Sequence, residues 1–178
     1  MKIMEEIELP EGFEASFEDG ILTVGDGNQE LEKKMDNSLI EVEVKDNKVQ
    51  FTPLRDKRDV KSIAGAYRGH TQNMIEGLQN EYVYEMKGVY AHFPMTVKKQ
   101  GDEVHIENFM GEREPRRAQI MDGVDVQVNG EDLEISGPDK EKVSQTAARI
   151  EQICSKGNRD PRTFQDGVYI TKKNGGGQ

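Results

Sequence analysis

The chain has 178 residues, a third of them charged, and a formal net charge of −10. That length suits two small domains of roughly 80 to 90 residues better than one minimal domain, and the modest apolar share allows each only a small core. No apolar run reaches the ~20 residues of a membrane span, the opening MKIMEEIELPEGFE is unlike a secretion signal, and the single cysteine, Cys154, makes an intrachain disulfide impossible and suits a reducing cytosol.

Taken in chain order, ILTV over 21–24 reads as a short strand, with Gly25 and Gly27 in the turn after it. EVEVKDNKVQFTPL alternates apolar and polar residues through Val42, Val44, Val49 and Phe51, which predicts a hairpin turning at Asp46-Asn47. Val60, Ile63, Ala64, Tyr67, Met74 and Leu78 then make the stripe of an amphipathic helix. NEYVYEMKGVYAHFPMTV opens as a long strand that Pro94 must break. A hairpin over 96–99 and 104–107 follows, turning at Gly101-Asp102. DVQVNGEDLEISGP predicts another, turning at Asn129-Gly130. A second helix carries Val143, Ala147, Ile150, Ile153 and Cys154, with Pro138-Asp139 in its first turn and Gly157 as its stop. Two short strands, around Thr163-Phe164 and over 168–171, flank a turn at Asp166-Gly167, and residues 174–178 read as a flexible end.

These elements repeat. Val42, Val44, Val49 and Phe51 match Val126, Val128, Leu133 and Ile135 at a constant offset of 84, and ILTV parallels EVHI over 103–106. The expected fold is α+β: two tandem similar domains, 1–80 and 81–178, each a small antiparallel sheet packed against one helix. The charge is uneven. Residues 1–88 hold 11 Lys and Arg against 19 Asp and Glu, residues 89–178 hold 13 against 15, and the stretch from Lys156 onward holds five against two. The first domain is therefore the acidic one, and the second carries the basic clusters and the basic tail.

The residues do not favour catalysis. His70, His92 and His105 form no metal-spaced cluster, and His70 and His105 are expected on partly exposed faces. Cys154 sits on an apolar stripe, as a core thiol does. No phosphate-binding loop or dinucleotide fingerprint is present. Binding has more support. Arg113, Arg116 and Arg117 crowd a loop where guanidinium forks can meet phosphates; interleaved Glu112 and Glu114 make an exposed, salt-bridged strand an equal reading. Phe109 beside them either stacks a base or packs in the core. In QDGVYITKK, Tyr169, Lys172 and Lys173 follow a tight turn, as an RNA contact or as an ordinary terminal strand with solvated lysines. An acidic protein-interaction module is the competing class.

Three runs carry a resemblance: YAHFPMTVKKQGDEVHIENFMGEREPRR, VNGEDLEISGPDKEKVSQTAARIEQ and QDGVYITKK. They resemble the large-subunit ribosomal protein L6 family of the archaeal and eukaryotic branch, over essentially the whole chain. The resemblance implies a structural, non-enzymatic constituent of the cytoplasmic ribosome with no cofactor. It implies binding to large-subunit rRNA near the factor-binding region, beside neighbouring ribosomal proteins and within reach of translation factors. By region, it places RNA contacts at Gly167, Tyr169, Lys172 and Lys173, and also at Arg113, Arg116, Arg117 and Arg162.

Overall fold

A computed structural model describes residues 5–155 and 157–175. The chain divides into two compact units, the first ending at Asn80 and the second running Glu81–Gly175.

The first unit contains β1 (Glu5–Glu8), β2 (Glu14–Glu18), β3 (Ile21–Gly25), β4 (Glu30–Lys34), β5 (Ile40–Lys45), β6 (Lys48–Pro53) and α1 (Arg58–Gln79). They form two antiparallel three-stranded sheets, ordered β1-β6-β5 and β2-β3-β4. The second contains β7 (Tyr82–Val89), β8 (Thr96–Gln100), β9 (Glu103–Glu107), a 3-10 turn (Phe109–Gly111), β10 (Arg116–Gln119), β11 (Asp125–Asn129), β12 (Asp132–Gly137), α2 (Lys140–Ile153) and β13 (Gly167–Asn174). Its sheets are β8-β9-β10 and β11-β12-β7-β13. Each unit is α+β with one α-helix among the described residues, as the alternation and the two stripes predict. Each carries two small sheets rather than one.

The duplication extends to the wiring. Val42 pairs with Phe51 and Val44 with Val49, while 84 residues on Val126 pairs with Ile135 and Val128 with Leu133. Strands β1 to β6 and β7 to β12 follow the same pairing scheme, and β13 is an addition, laid against the edge of β7 whose equivalent on β1 carries no strand among the described residues. Because side chains alternate across a strand, one face of each pair fills a core. Leu22, Val24, Val49 and Phe51 are fully buried in the first unit, and Val104, Ile106, Ile135 and Ile150 in the second.

Local chemistry corrects several expectations. The second hairpin turns at Gly130-Glu131, one residue later than expected, because Asn129 still pairs with Asp132. Gly130 alone takes the positive φ there, of 69°, whereas Asp46 and Asn47 both do so in the first hairpin. Gly25 ends β3 rather than lying in the turn; Gly27 does lie there. Pro138 stands outside α2, and Asp139 is its cap: the carboxylate accepts the backbone N–H groups of Glu141 at 2.9 Å and Lys142 at 3.3 Å. Asp139→Ala should cost about 1 kcal/mol in urea-melt stability, and an unchanged melt would show the cap to be idle. Gly157 does not stop α2, which ends at Ile153 with Cys154 as its cap residue.

Thr163 and Phe164 form no strand. Both donate their backbone N–H to the Asp160 carbonyl, and the Asp160 carboxylate takes the N–H of Arg162, so a compact turn at Asp160-Pro161 overrides their strand preference. Asn174 belongs to β13 and bonds Glu85, not to a flexible end; residues 176–178 lie outside the described part.

Candidate nucleic-acid interface

The candidate residues sit in three parts of the second unit. The first is β13. Its Val168 and Ile170 face the core, Ile170 opposite Met86 on β7. A bulge at Thr171 then shifts the register, so that Lys172 pairs with Glu85 and Lys173 with Tyr84. Without that extra residue Lys172 would fall on the face of Ile170; with it, Lys172 points away from the core. Lys172 Nζ lies 3.7 Å from a Glu85 carboxylate oxygen, with 60% of its side chain exposed. Lys173 Nζ lies 5.6 Å from the centre of the Tyr84 ring. An exposed pair of this kind contributes at most ~1 kcal/mol, so both ammonium groups can turn to an incoming phosphate.

Three residues earlier, the Tyr169 ring lies over Gly167, where any Cβ would come within 3.1 Å of it. The Tyr169 hydroxyl donates to the Gln165 carbonyl at 2.7 Å. Gly167 and Tyr169 thus fix where β13 leaves the preceding segment. The ring is half-buried, not a free stacking platform.

The second part is the segment between α2 and β13. Arg159 lies over the Phe164 ring at 5.4 Å, with one guanidinium nitrogen 3.6 Å from Met110 Sδ. Arg162 is exposed, and its guanidinium has no partner among the described residues.

The third part is the arginine cluster, which the structure divides. Arg113 lies in the loop before β10, exposed and without a partner among the described residues. Arg116 and Arg117 belong to β10 itself, not to a loop, and alternation sends them to opposite faces. Arg117 is exposed and has no described partner. Arg116 is fully engaged. Its Nε and Nη2 donate to the two Glu112 carboxylate oxygens at 2.8 and 2.6 Å, and Nη1 donates to the carbonyls of Ile153 and Ser155 at 2.6 and 2.7 Å. Its guanidinium also covers the Phe109 ring, 4.3 Å from the centroid. The Arg116 hydrogen bond holds the Glu112 carboxyl below the usual carboxylate range, and the same bond raises Arg116 further. Arg116 therefore closes the C-terminus of α2, whose last carbonyls lack partners within the helix, and ties it to the 109–116 loop. Phe109 is a core residue, 1% exposed.

The lysine pair Lys98 and Lys99 forms surface ion pairs, with Glu107 at 2.8 Å and Asp125 at 2.9 Å. His105 is buried, not partly exposed: it sits on the central strand β9 with its ring 2.8 Å from Glu103. His70 and His92 are exposed. Cys154 is buried. Among the described residues, no group of three or more His, Cys, Asp or Glu is placed to hold a metal, and no helix is long and apolar enough to cross a membrane.

One cation escaped the sequence reading. Arg149, on α2, stands across a groove from Arg117. The available signal was its place in TAARIEQI, one helical turn before Gln152 and Ile153 and off the apolar stripe.

Comparison with known proteins agrees with this architecture. The family model described as Ribosomal protein L6 matches residues 93–167. The large ribosomal subunit protein uL6 of Methanococcus vannielii is 42% identical over 97% of this chain and 95% of its own length. That of Haloarcula marismortui is 42% identical over 94% of both chains, and that of Methanobrevibacter smithii 43% over 96% of both. With this identity along nearly the full length and the duplicated α+β fold, the chain belongs to the ribosomal protein L6 family, whose members are structural, non-enzymatic proteins of the large ribosomal subunit.

Proposed function

We propose that this protein is built into the large ribosomal subunit in the cytoplasm, and that its second unit binds large-subunit rRNA near the factor-binding region and holds the RNA in its folded form. The observation that carries this reading is that the second unit exposes the guanidinium groups of Arg113, Arg117 and Arg162 with no carboxylate partner among the described residues, in a chain of net charge −10. Lys172 and Lys173 extend that cationic surface along β13. Gly167 and Tyr169 position it rather than touch RNA, and Arg116 holds the scaffold. Recognition rests on phosphate geometry and RNA shape rather than base sequence. The acidic first unit is left to solvent, neighbouring ribosomal proteins and translation factors.

The test is a salt titration of the full chain on a transcript of large-subunit rRNA. With roughly four to six phosphate contacts, log affinity should fall by about 0.7 to 0.9 per contact per log unit of salt. Replacing Lys172 and Lys173 together with Ala should lower that slope by about two. An unchanged slope and affinity would remove β13 from the interface.

A further inference from the structure

The groove between β10 and α2 has the chemistry of a nucleotide site. β10 is an edge strand of its sheet, and α2 packs alongside it. The groove between them is shallow and encloses about 360 Å3, at the small end of the ~300–1,000 Å3 usual for ligand pockets. Arg117, Ala118 and Gln119 of β10 and Arg149, Gln152 and Ile153 of α2 line it, with Ala118 and Ile153 supplying its apolar part. No acidic residue lines it, in a chain with 34 Asp and Glu against 24 Lys and Arg. Neither the Arg117 nor the Arg149 guanidinium has a hydrogen bond or ion pair among the described residues, although that of Arg116, adjacent in sequence, is fully engaged.

Two guanidinium forks without a described carboxylate partner make the groove cationic. Their planar donors suit phosphate oxygens. An apolar part beside side-chain amides suits the face and edge of an unstacked base. The internal duplication supplies a contrast. The strand of the first unit that pairs as β10 does is β4, with the sequence ELEKK; Glu32 holds the register position of Arg117, and Lys33 and Lys34 follow it. The two copies thus differ in charge at the position of Arg117.

We propose that the β10–α2 groove takes one unpaired nucleotide of large-subunit rRNA, with Arg117 and Arg149 on its phosphates and Ala118 and Ile153 against its base. This rests on the RNA-binding reading above, and Arg149 is its new member.

The experiment uses full-chain Arg117→Gln, Arg149→Gln and their double variant. Arg58→Gln, on α1 of the first unit, controls for net charge. Each is titrated against a large-subunit rRNA transcript over a range of salt, and the RNA backbone is footprinted with hydroxyl radicals. Each single groove variant should weaken binding about five- to tenfold and lower the salt slope by roughly 0.7 to 0.9. The double variant should lose one short protected patch that the Lys172/Lys173 double Ala variant keeps. Gln152→Glu, which adds a carboxylate at constant length, should lose the same patch. Wild-type affinity and slope in both arginine variants, with the β13 variant impaired, would overturn the groove and leave RNA binding standing. So would an Arg58→Gln effect as large as that of Arg149→Gln. A wild-type chain that does not bind the transcript would overturn both readings.

Discussion

Replacing Arg116 with Gln should lower the stability of the second unit by about 2 to 3 kcal/mol, with a loss of roughly 10 °C or more in melting temperature for a unit of this size. The side chain makes four charge-assisted hydrogen bonds and covers an aromatic ring. Hydrogen bonds to charged groups contribute about 1.5 to 3 kcal/mol each when buried. The sum falls short of that because Glu112 is 42% exposed and can rehydrate once released. Arg116→Lys keeps the charge but loses the fork, and should recover less than half of the loss. The clamp also carries a pH signature. Arg116 lowers the Glu112 carboxyl below its ordinary 4.5. A depressed carboxyl stabilises the fold above its unfolded value and ceases to do so as pH falls through its folded one. Glu112→Gln should therefore destabilise at neutral pH and make progressively less difference well below pH 4.5. Equal melts for wild type and Arg116→Gln at neutral pH would refute the clamp.

Phe51→Ala should cost the first unit about 3 to 5 kcal/mol, the usual penalty for deleting a buried aromatic ring. Phe51 is completely buried and meets the Tyr67 ring edge-on, with centroids 6.1 Å apart and planes at 67°. It lies on the strand opposite Val42 and joins the sheet to the stripe of α1. Phe51→Leu fills most of the volume and should cost about 1.5 kcal/mol or less. Denaturant melts followed by far-ultraviolet circular dichroism separate the two outcomes; a Phe51→Ala cost below 1 kcal/mol would mean that this face is not the core.

The parts of this fold visible in the sequence are those set by periodicity. The 84-residue offset between Val42–Phe51 and Val126–Ile135 captured two hairpins and their apolar faces, because a one-residue slip would turn every apolar side chain to solvent, although the second turn falls one residue later than expected. The helix stripes were legible for the same reason. What periodicity could not show depends on single side chains reaching distant backbone. Nothing local reveals that Arg116 bonds the carbonyls of Ile153 and Ser155, 37 and 39 residues on. Charge pattern alone made it one arginine among three, whereas the alternation of β10 gives Arg116 and Arg117 opposite tasks. The turn at Asp160 was missed because Thr163 and Phe164 prefer strands, and the Asp-Pro signal ahead of them outweighs that preference. Arg149 was overlooked because a base on the polar side of a helix is ordinary until the opposite wall of its groove is known.

RNA should meet the second unit and not the first. Ultraviolet cross-linking of the full chain to large-subunit rRNA, with mass spectrometry of the linked peptides, tests it most directly. The account predicts cross-links within the segments 113–119, 149–162 and 167–173. Cross-links concentrated in residues 5–80, with those segments bare, would contradict it.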